Sequence, residues 1–170
     1  AKVEPRAVRG RTFLLIERYD RFVGVDGRVR RLHQEDFCQA LGIPPEKKYA
    51  SEGGPAFRDC FTLVREQSAI PGPDVIALLD AAVFNVIVGN ADAHGKNFSL
   101  LHRSDGPRLA PLYDLLATAA YPDLSPTFAM KIGRRSTLGE LDAKGWERFA
   151  LEAGVGRPFV RQRVGEIAAG

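Results

Sequence analysis

The chain has 170 residues, 45% of them hydrophobic and 26% charged, a balance that suits one folding unit with a real core. Its formal net charge of +3 is too mild to demand a nucleic-acid partner, and two cysteines, Cys38 and Cys60, read as buried thiols rather than a disulfide framework. No apolar run reaches the roughly 18 residues of a membrane span, since Asp80 and Asn85 interrupt residues 76–88, and Lys2, Glu4, Arg6, Arg9 and Arg11 punctuate the start against a signal peptide. A cytoplasmic chain without a membrane partner is expected. A zinc site is not expected, because His33, His94 and His102 lack ligand spacing with the cysteines.

In chain order, Thr12 to Glu17 reads as a short apolar strand ending in charge. Phe22 to Leu32 reads as a hairpin about Asp26-Gly27, a type I′ turn signal. Gln34 to Leu41 predicts a short helix closed by Gly42, whose missing side chain suits a left-handed cap. Ile43 to Gly54 is a polar loop long enough to be functional, and Pro55 to Glu66 is a second helix with Phe57, Phe61 and Val64 at helical spacing. Pro71-Gly72-Pro73 breaks the chain before a long apolar helix from Asp74 to Val88. There Val75, Leu79, Val83 and Val86 share one face, and Ile76 and Ile87 widen the stripe. Phe98 to His102 reads as a strand, and Asp105-Gly106 supplies a hairpin turn towards Leu109. Leu115 to Ala120 is apolar and small, Tyr121 to Pro126 is turn-rich, and Thr127 to Ile132 is a strand or extended loop, with Met130 packing and Lys131 on the surface. Two amphipathic helices, Ala143 to Ala153 and Pro158 to Ala168, close the chain, Trp146, Phe149 and Ala150 facing inward. Basic clusters at Arg28, Arg30 and Arg31, at Lys47 and Lys48, at Arg134 and Arg135, and at Arg157, Arg161 and Arg163 read as solvated faces before phosphate-contacting patches.

The segment with the most chemistry is Asn90-Ala91-Asp92-Ala93-His94-Gly95-Lys96-Asn97, followed 22 residues after Asp92 by Asp114 within Leu112-Tyr113-Asp114-Leu115. A loop Asp followed five positions on by an Asn, with a second Asp downstream, is the order in which protein kinases set a catalytic base and two magnesium ligands. Asp92 is then the carboxylate that faces an acceptor hydroxyl, while Asn97 and Asp114 offer the hard oxygens that magnesium takes. The bland alternative is a polar turn whose side chains cap local backbone. A helix delivering the loop and a strand leaving it weigh against that alternative. His94 could contact phosphate or buttress the loop, and Lys96 could approach the transferred phosphate as a point charge.

Several segments together resemble the C-terminal region of HipA-family serine/threonine kinases. They are residues 15–21 (Leu15-Ile16-Glu17-Arg18-Tyr19-Asp20-Arg21), 31–42 (Arg31 through Gly42), Lys48-Tyr49 with Gly53-Gly54-Pro55, residues 84–90 leading into the loop, and residues 110–116 around Asp114. The spelling Asp-x-His-x-x-Asn at residues 92–97 also resembles lipid kinases. The HipA resemblance implies a mainly α fold with small β elements, an α+β protein-kinase-like C-terminal lobe over residues 13–170. It implies an interlobe hinge near residues 17–21, with Glu17, Tyr19 and Tyr113 at the nucleotide, and an activation segment after Asp114. The implied activity is transfer of phosphate from Mg-ATP to Ser or Thr of a protein substrate, with a HipB-like DNA-binding antitoxin as partner and DNA reached through that complex.

Kinases also need a Gly-rich phosphate loop and a strand Lys, and residues 1–12 hold one glycine, Gly10. Those residues are therefore expected to be an upstream tail or the end of a missing N-terminal lobe, and the chain alone is expected to be weak or inactive. Two rival functions remain open on the sequence. One is a noncatalytic lobe that binds an antitoxin or nucleic acid; the other is a lipid or small-molecule kinase, since phosphate chemistry is indifferent to what carries the hydroxyl.

Overall fold

The computed structural model describes residues 2–170 as four small antiparallel sheets and five α-helices. Strands β1 (Val3–Val8) and β2 (Arg11–Ile16) pair antiparallel from Val3–Ile16 to Val8–Arg11. This hairpin stands away from the core, with Leu14, Leu15 and Ile16 half or more exposed. The expected second hairpin forms from β3 (Arg21–Val23) and β4 (Val29–Arg31), with Gly27 at φ +73° in its turn.

The predicted helix from Gln34 is shorter than expected. Residues His33–Asp36 are strand β5, and the helix α1 covers Phe37–Ala40. Local periodicity loses here to long-range pairing: β5 joins β6 (Ser99–Arg103), which continues to β7 (Gly106–Leu109), in a three-stranded antiparallel sheet. Asp36 switches strand to helix through a capping box, accepting from the Gln39 amide at 3.0 Å while Gln39 Oε1 accepts from the Asp36 amide at 2.9 Å.

Helices α2 (Phe57–Gln67) and α3 (Pro71–Ile87) carry the core. Pro71 does not break the chain ahead of α3 but begins it, since the first helical turn needs no proline N–H. Val75, Leu79, Val83 and Val86 are buried as predicted, whereas Ile76 and Ile87 are 41% and 44% exposed and lie outside the buried stripe. Asp74 anchors the first turn of α3 to β7, accepting from Ser68 Oγ at 2.6 Å, Arg108 Nε at 3.1 Å and the Leu109 amide at 2.9 Å. Burial alone would raise its carboxyl above the ordinary 3.8; the hydrogen bonds from Arg108, Ser68 and Leu109 outweigh it and hold the group below.

Strand β8 (Thr127–Ile132), paired with β9 (Arg135–Thr137), lays Phe128, Met130 and Ile132 on the same core, and α4 (Ala143–Ala153) and α5 (Arg157–Ala169) close it. Phe57, Phe61, Phe149 and Trp146 form an aromatic cluster; the Phe57 and Phe149 rings meet edge to face with centroids 5.2 Å apart. The turn after β8 requires Gly133: its φ is +53°, and a Cβ there would lie 1.8 Å from the Gly145 carbonyl oxygen of α4.

Most basic clusters have acidic neighbours. Arg30 pairs with Asp26, Arg135 with Asp142, Arg161 with Glu147, and Arg163 with Asp80 and Glu166. Among the described residues, no helix is long and apolar enough to cross a membrane.

Two stability outcomes follow from this frame. Phe149→Ala is expected to lower the unfolding free energy by about 3–5 kcal/mol in denaturant titration, by emptying the centre of the aromatic cluster. Asp74→Asn is expected to cost roughly 1–3 kcal/mol near neutral pH. Because the folded carboxyl titrates below 3.8, its contribution is present above that pH and disappears as pH falls further, so the two proteins converge in stability in acid.

Candidate active site

Helix α3 ends in a tight left-handed residue, Gly89, at φ +73°, whose missing Cβ admits the Ala119 methyl. The chain then enters a loop held from three sides. Asn90 is buried and donates from Nδ2 to Asn85 Oδ1 at 2.8 Å and to the Asp114 carbonyl at 3.4 Å, while its Oδ1 accepts from the Asp92 amide at 3.1 Å. Asn85 in turn donates to the Ala81 carbonyl of α3 at 2.9 Å. Thr118 accepts from the Ala91 amide at 2.8 Å and donates to the Gly89 carbonyl at 3.0 Å, and the Ala129 amide of β8 donates to the Ala91 carbonyl at 2.8 Å.

Residues separated in sequence meet here. Asn97, on a short 3-10 turn from Gly95 to Asn97, accepts the His94 amide on Oδ1 at 3.0 Å and donates from Nδ2 to Asp114 Oδ2 at 2.6 Å. Asp114 has φ +55°, a left-handed conformation that Asp tolerates better than most side chains, and its carboxylate is exposed. Asp92 is half-buried on the wall of a cavity of about 580 Å³ lined also by Tyr49, Leu116, Leu124, Ser125 and Phe128. Neither Asn97 nor Asp114 lines that cavity. The polar-turn reading is thus half right: the Asn90 and Asn97 amides do cap local backbone, and they also hold two distant aspartates in one place.

Tyr49 reached the sequence reading only as part of the family resemblance. Its hydroxyl donates to Asp92 Oδ1 at 3.0 Å, its ring meets the His94 ring edge-on with centroids 5.6 Å apart, and Lys48 Nζ lies 4.7 Å over it. Hydrogen bonding to Tyr49 and the charges of Asp92 and Asp114 raise the Lys48 ammonium, which therefore stays positive beside both carboxylates. His94 is buried, with Nε2 4.0 Å from Asp92 Oδ2 and Nδ1 without a hydrogen-bond partner among the described residues. Burial and then Lys48 push its imidazole below the ordinary 6.5, against the upward pull of Asp92. It is a neutral ring at physiological pH. Lys96, two residues after His94, is half-buried.

The three residues expected at a nucleotide are placed differently from one another. Glu17 is exposed, and its amide donates to the Lys2 carbonyl at 2.9 Å, beside the β1–β2 hairpin. Tyr19 is half-buried against Gln34, with burial raising its phenol and the Gln34 bond lowering it. Tyr113 turns its hydroxyl inward, donating to the Lys96 carbonyl at 2.7 Å and sharing a short hydrogen bond with Ser99 Oγ; burial pushes it up to about 12. Gln34 Nε2 bonds the same Ser99 Oγ at 3.1 Å. A polar chain therefore runs from Tyr19 through Gln34, Ser99 and Tyr113 to the back of the loop that carries Asp92 and Asn97. Next to it, Asp20 is buried under Arg18, Arg21 and Arg31.

The family model described as HipA-like C-terminal domain matches residues 1–170. The chain belongs to that family. A protein of Sinorhizobium fredii named putative kinase Y4mE is 67% identical over 164 residues, which is 96% of this chain and 39% of that protein. The serine/threonine-protein kinase toxin HipA of Shewanella oneidensis is 36% identical over 131 residues, 70% of this chain and 30% of the toxin. A solved complex of Shewanella oneidensis HipA, HipB and operator DNA contains a chain that superposes with a TM-score of 0.89 at 30% identity, covering 99% of this chain and 42% of that one. The expected HipA-type C-terminal lobe with small β elements is the fold observed. The chain spans well under half the length of these relatives.

His94 gives the sharpest test of the site's electrostatics. Its ring, followed by NMR, is expected to titrate below 6.5; Asp92→Asn is expected to lower the value further, and Lys48→Met to raise it.

Proposed function

We propose that this chain is the catalytic lobe of a HipA-type kinase that transfers the γ-phosphate of ATP to a serine or threonine hydroxyl of a protein substrate. The observation that carries the reading is the meeting of Asn97 and Asp114 at 2.6 Å, across 17 residues, on the same loop that sets Asp92 beside an open cavity. A polar turn with only local duties needs no such long-range pair.

Asn97 and Asp114 suit magnesium by their donor set, one carboxamide oxygen with a lone pair left beyond the His94 amide bond and one exposed carboxylate. Once bound there, the ion would neutralise phosphate charge and orient the chain of phosphates. The chain's own groups do the rest. The acceptor hydroxyl enters from the 580 Å³ cavity, its oxygen attacks the γ-phosphorus, the bond to the β-phosphate oxygen breaks, ADP leaves, and the hydroxyl proton passes to Asp92. Tyr49 fixes the Asp92 rotamer by its bond to Oδ1. Neutral His94, with Nε2 4.0 Å from Asp92 Oδ2 and its ring edge-on to Tyr49, would buttress the loop behind the base. Lys96 adds a point charge near the phosphate in flight, and Tyr113 holds Lys96 in place through its carbonyl.

By likeness to the solved HipA, HipB and operator DNA complex, the partners would be a HipB-like antitoxin and, through it, DNA. A second reading, a lobe that binds partners without catalysis, draws on the exposed Leu14, Leu15 and Ile16 of the first hairpin.

Labelled Mg-ATP separates the readings. In the chain extended to the length of its relatives, label is expected in protein, and Asp92→Asn and Asp114→Asn are each expected to reduce transfer by at least about 100-fold while the fold and partner binding persist. The 170-residue chain alone is expected to transfer slowly or not at all. Transfer unchanged by both substitutions, or label entering lipid instead of protein, would overturn the proposal.

A further inference from the structure

A second group of metal-competent side chains lies on β5 and β6, away from the Asn97–Asp114 pair. His33 and Glu35 are two residues apart on β5 and share one sheet face, and His102 stands directly opposite His33 in the antiparallel register. The two imidazole rings lie 4.9 Å apart between centroids, and His102 Nε2 is 2.6 Å from Glu35 Oε1. One donor atom from each of the three residues falls within 4.8 Å of the others. Gln34 and Ser99, which belong to the chain of bonds behind the catalytic loop, project from the opposite face of the same two strands.

We infer that His33, Glu35 and His102 form a binding site for a divalent cation of the zinc class. Two imidazoles and a carboxylate match zinc, which binds nitrogen at about 2.0–2.1 Å and carboxylate oxygen at about 2.0–2.2 Å, and magnesium avoids such a nitrogen-rich set. Donors around a tetrahedral ion stand roughly 3.3–3.5 Å apart at those bond lengths. The present spread reaches 4.8 Å, so the side chains must draw in by about 1–1.5 Å, a matter of side-chain rotation for one exposed and two half-exposed residues. The strands themselves need not move, because the ladder already fixes His33 against His102.

The His102–Glu35 hydrogen bond orients two of the three donors in advance. On binding, the cation replaces the hydrogen-bonded proton at His102 Nε2, and the neutral ring carries its proton on Nδ1 instead. The one remaining coordination position faces solvent and takes water. A cation there clips β5 to β6, so it ties the strand that follows the β3–β4 hairpin to the strand that leaves the catalytic loop.

The test is a zinc titration of the protein, free of any histidine tag, in competition with a chromophoric chelator. One zinc per chain is expected, at least about tenfold weaker in His33→Ala, His102→Ala and Glu35→Gln and unchanged in Asp114→Asn. Zinc is also expected to raise the melting temperature of the parent protein and not that of His102→Ala, with magnesium giving no such difference. His33 is exposed, so its substitution is not expected to disturb the fold, which circular dichroism checks. Absence of saturable binding up to about 100 μM free zinc, or binding at full strength in both folded histidine variants, would overturn the inference.

Discussion

The buried carboxamide of Asn90 is the joint on which the site hangs. It joins the last turn of α3, through Asn85, to the backbone of Asp92 and to the carbonyl of Asp114. Such a group is costly to bury unless each of its bonds is made, and once made they fix their partners strongly in a medium of low dielectric. Asp114, left-handed in its backbone, is tied at its carbonyl to a side chain 24 residues earlier and at its carboxylate to Asn97. Displacing Asn90 would therefore disturb the proposed base and the proposed metal ligands at once.

Charge in the site is arranged around two carboxylates, Asp92 and Asp114, that both act on the Lys48 ammonium. Lys48, kept positive by Tyr49 and both aspartates, offsets part of their repulsion. The same ammonium helps keep His94 neutral, so the loop carries one fewer positive charge than its composition offers. Asp92 and Asp114 remain partly exposed, and solvent screens these interactions. Tyr49 comes from the loop between α1 and α2, which makes that loop a wall of the cavity beside Asp92 as well as a connection.

Rigid support reaches the loop from below and behind. The aromatic cluster of α2 and α4 packs under Phe98, the residue that follows Asn97, and the close approach of Gly133 to α4 seats β8 against the loop at Ala91. Asp74 pins the other end of α3 to β7. A site held at both ends of its delivering helix keeps its side chains in register with little room to drift.

Much of this was legible from residues alone. The apolar faces of α2, α3 and α4, the hairpins at Asp26-Gly27 and Asp105-Gly106, and the motif of Asp92, Asn97 and Asp114 all follow from local rules of periodicity, turn chemistry and spacing. The helix expected from Gln34 is shortened because β5 is made by pairing with β6, where Gln34 stands opposite the distant Leu101. The expectation that Ile76 and Ile87 widen the buried stripe failed for a related reason, since an apolar helix does not announce which flank its neighbours will leave uncovered. Sequence by itself determined the spacing of Asp92, Asn97 and Asp114 and the order in which the chain presents them. Only the tertiary structure decided that Tyr49 meets Asp92, that Tyr113 turns inward to Lys96, and that His33 faces His102. Each of those contacts joins residues too distant for spacing to encode, and each exists because strand pairing and core burial bring their backbones together.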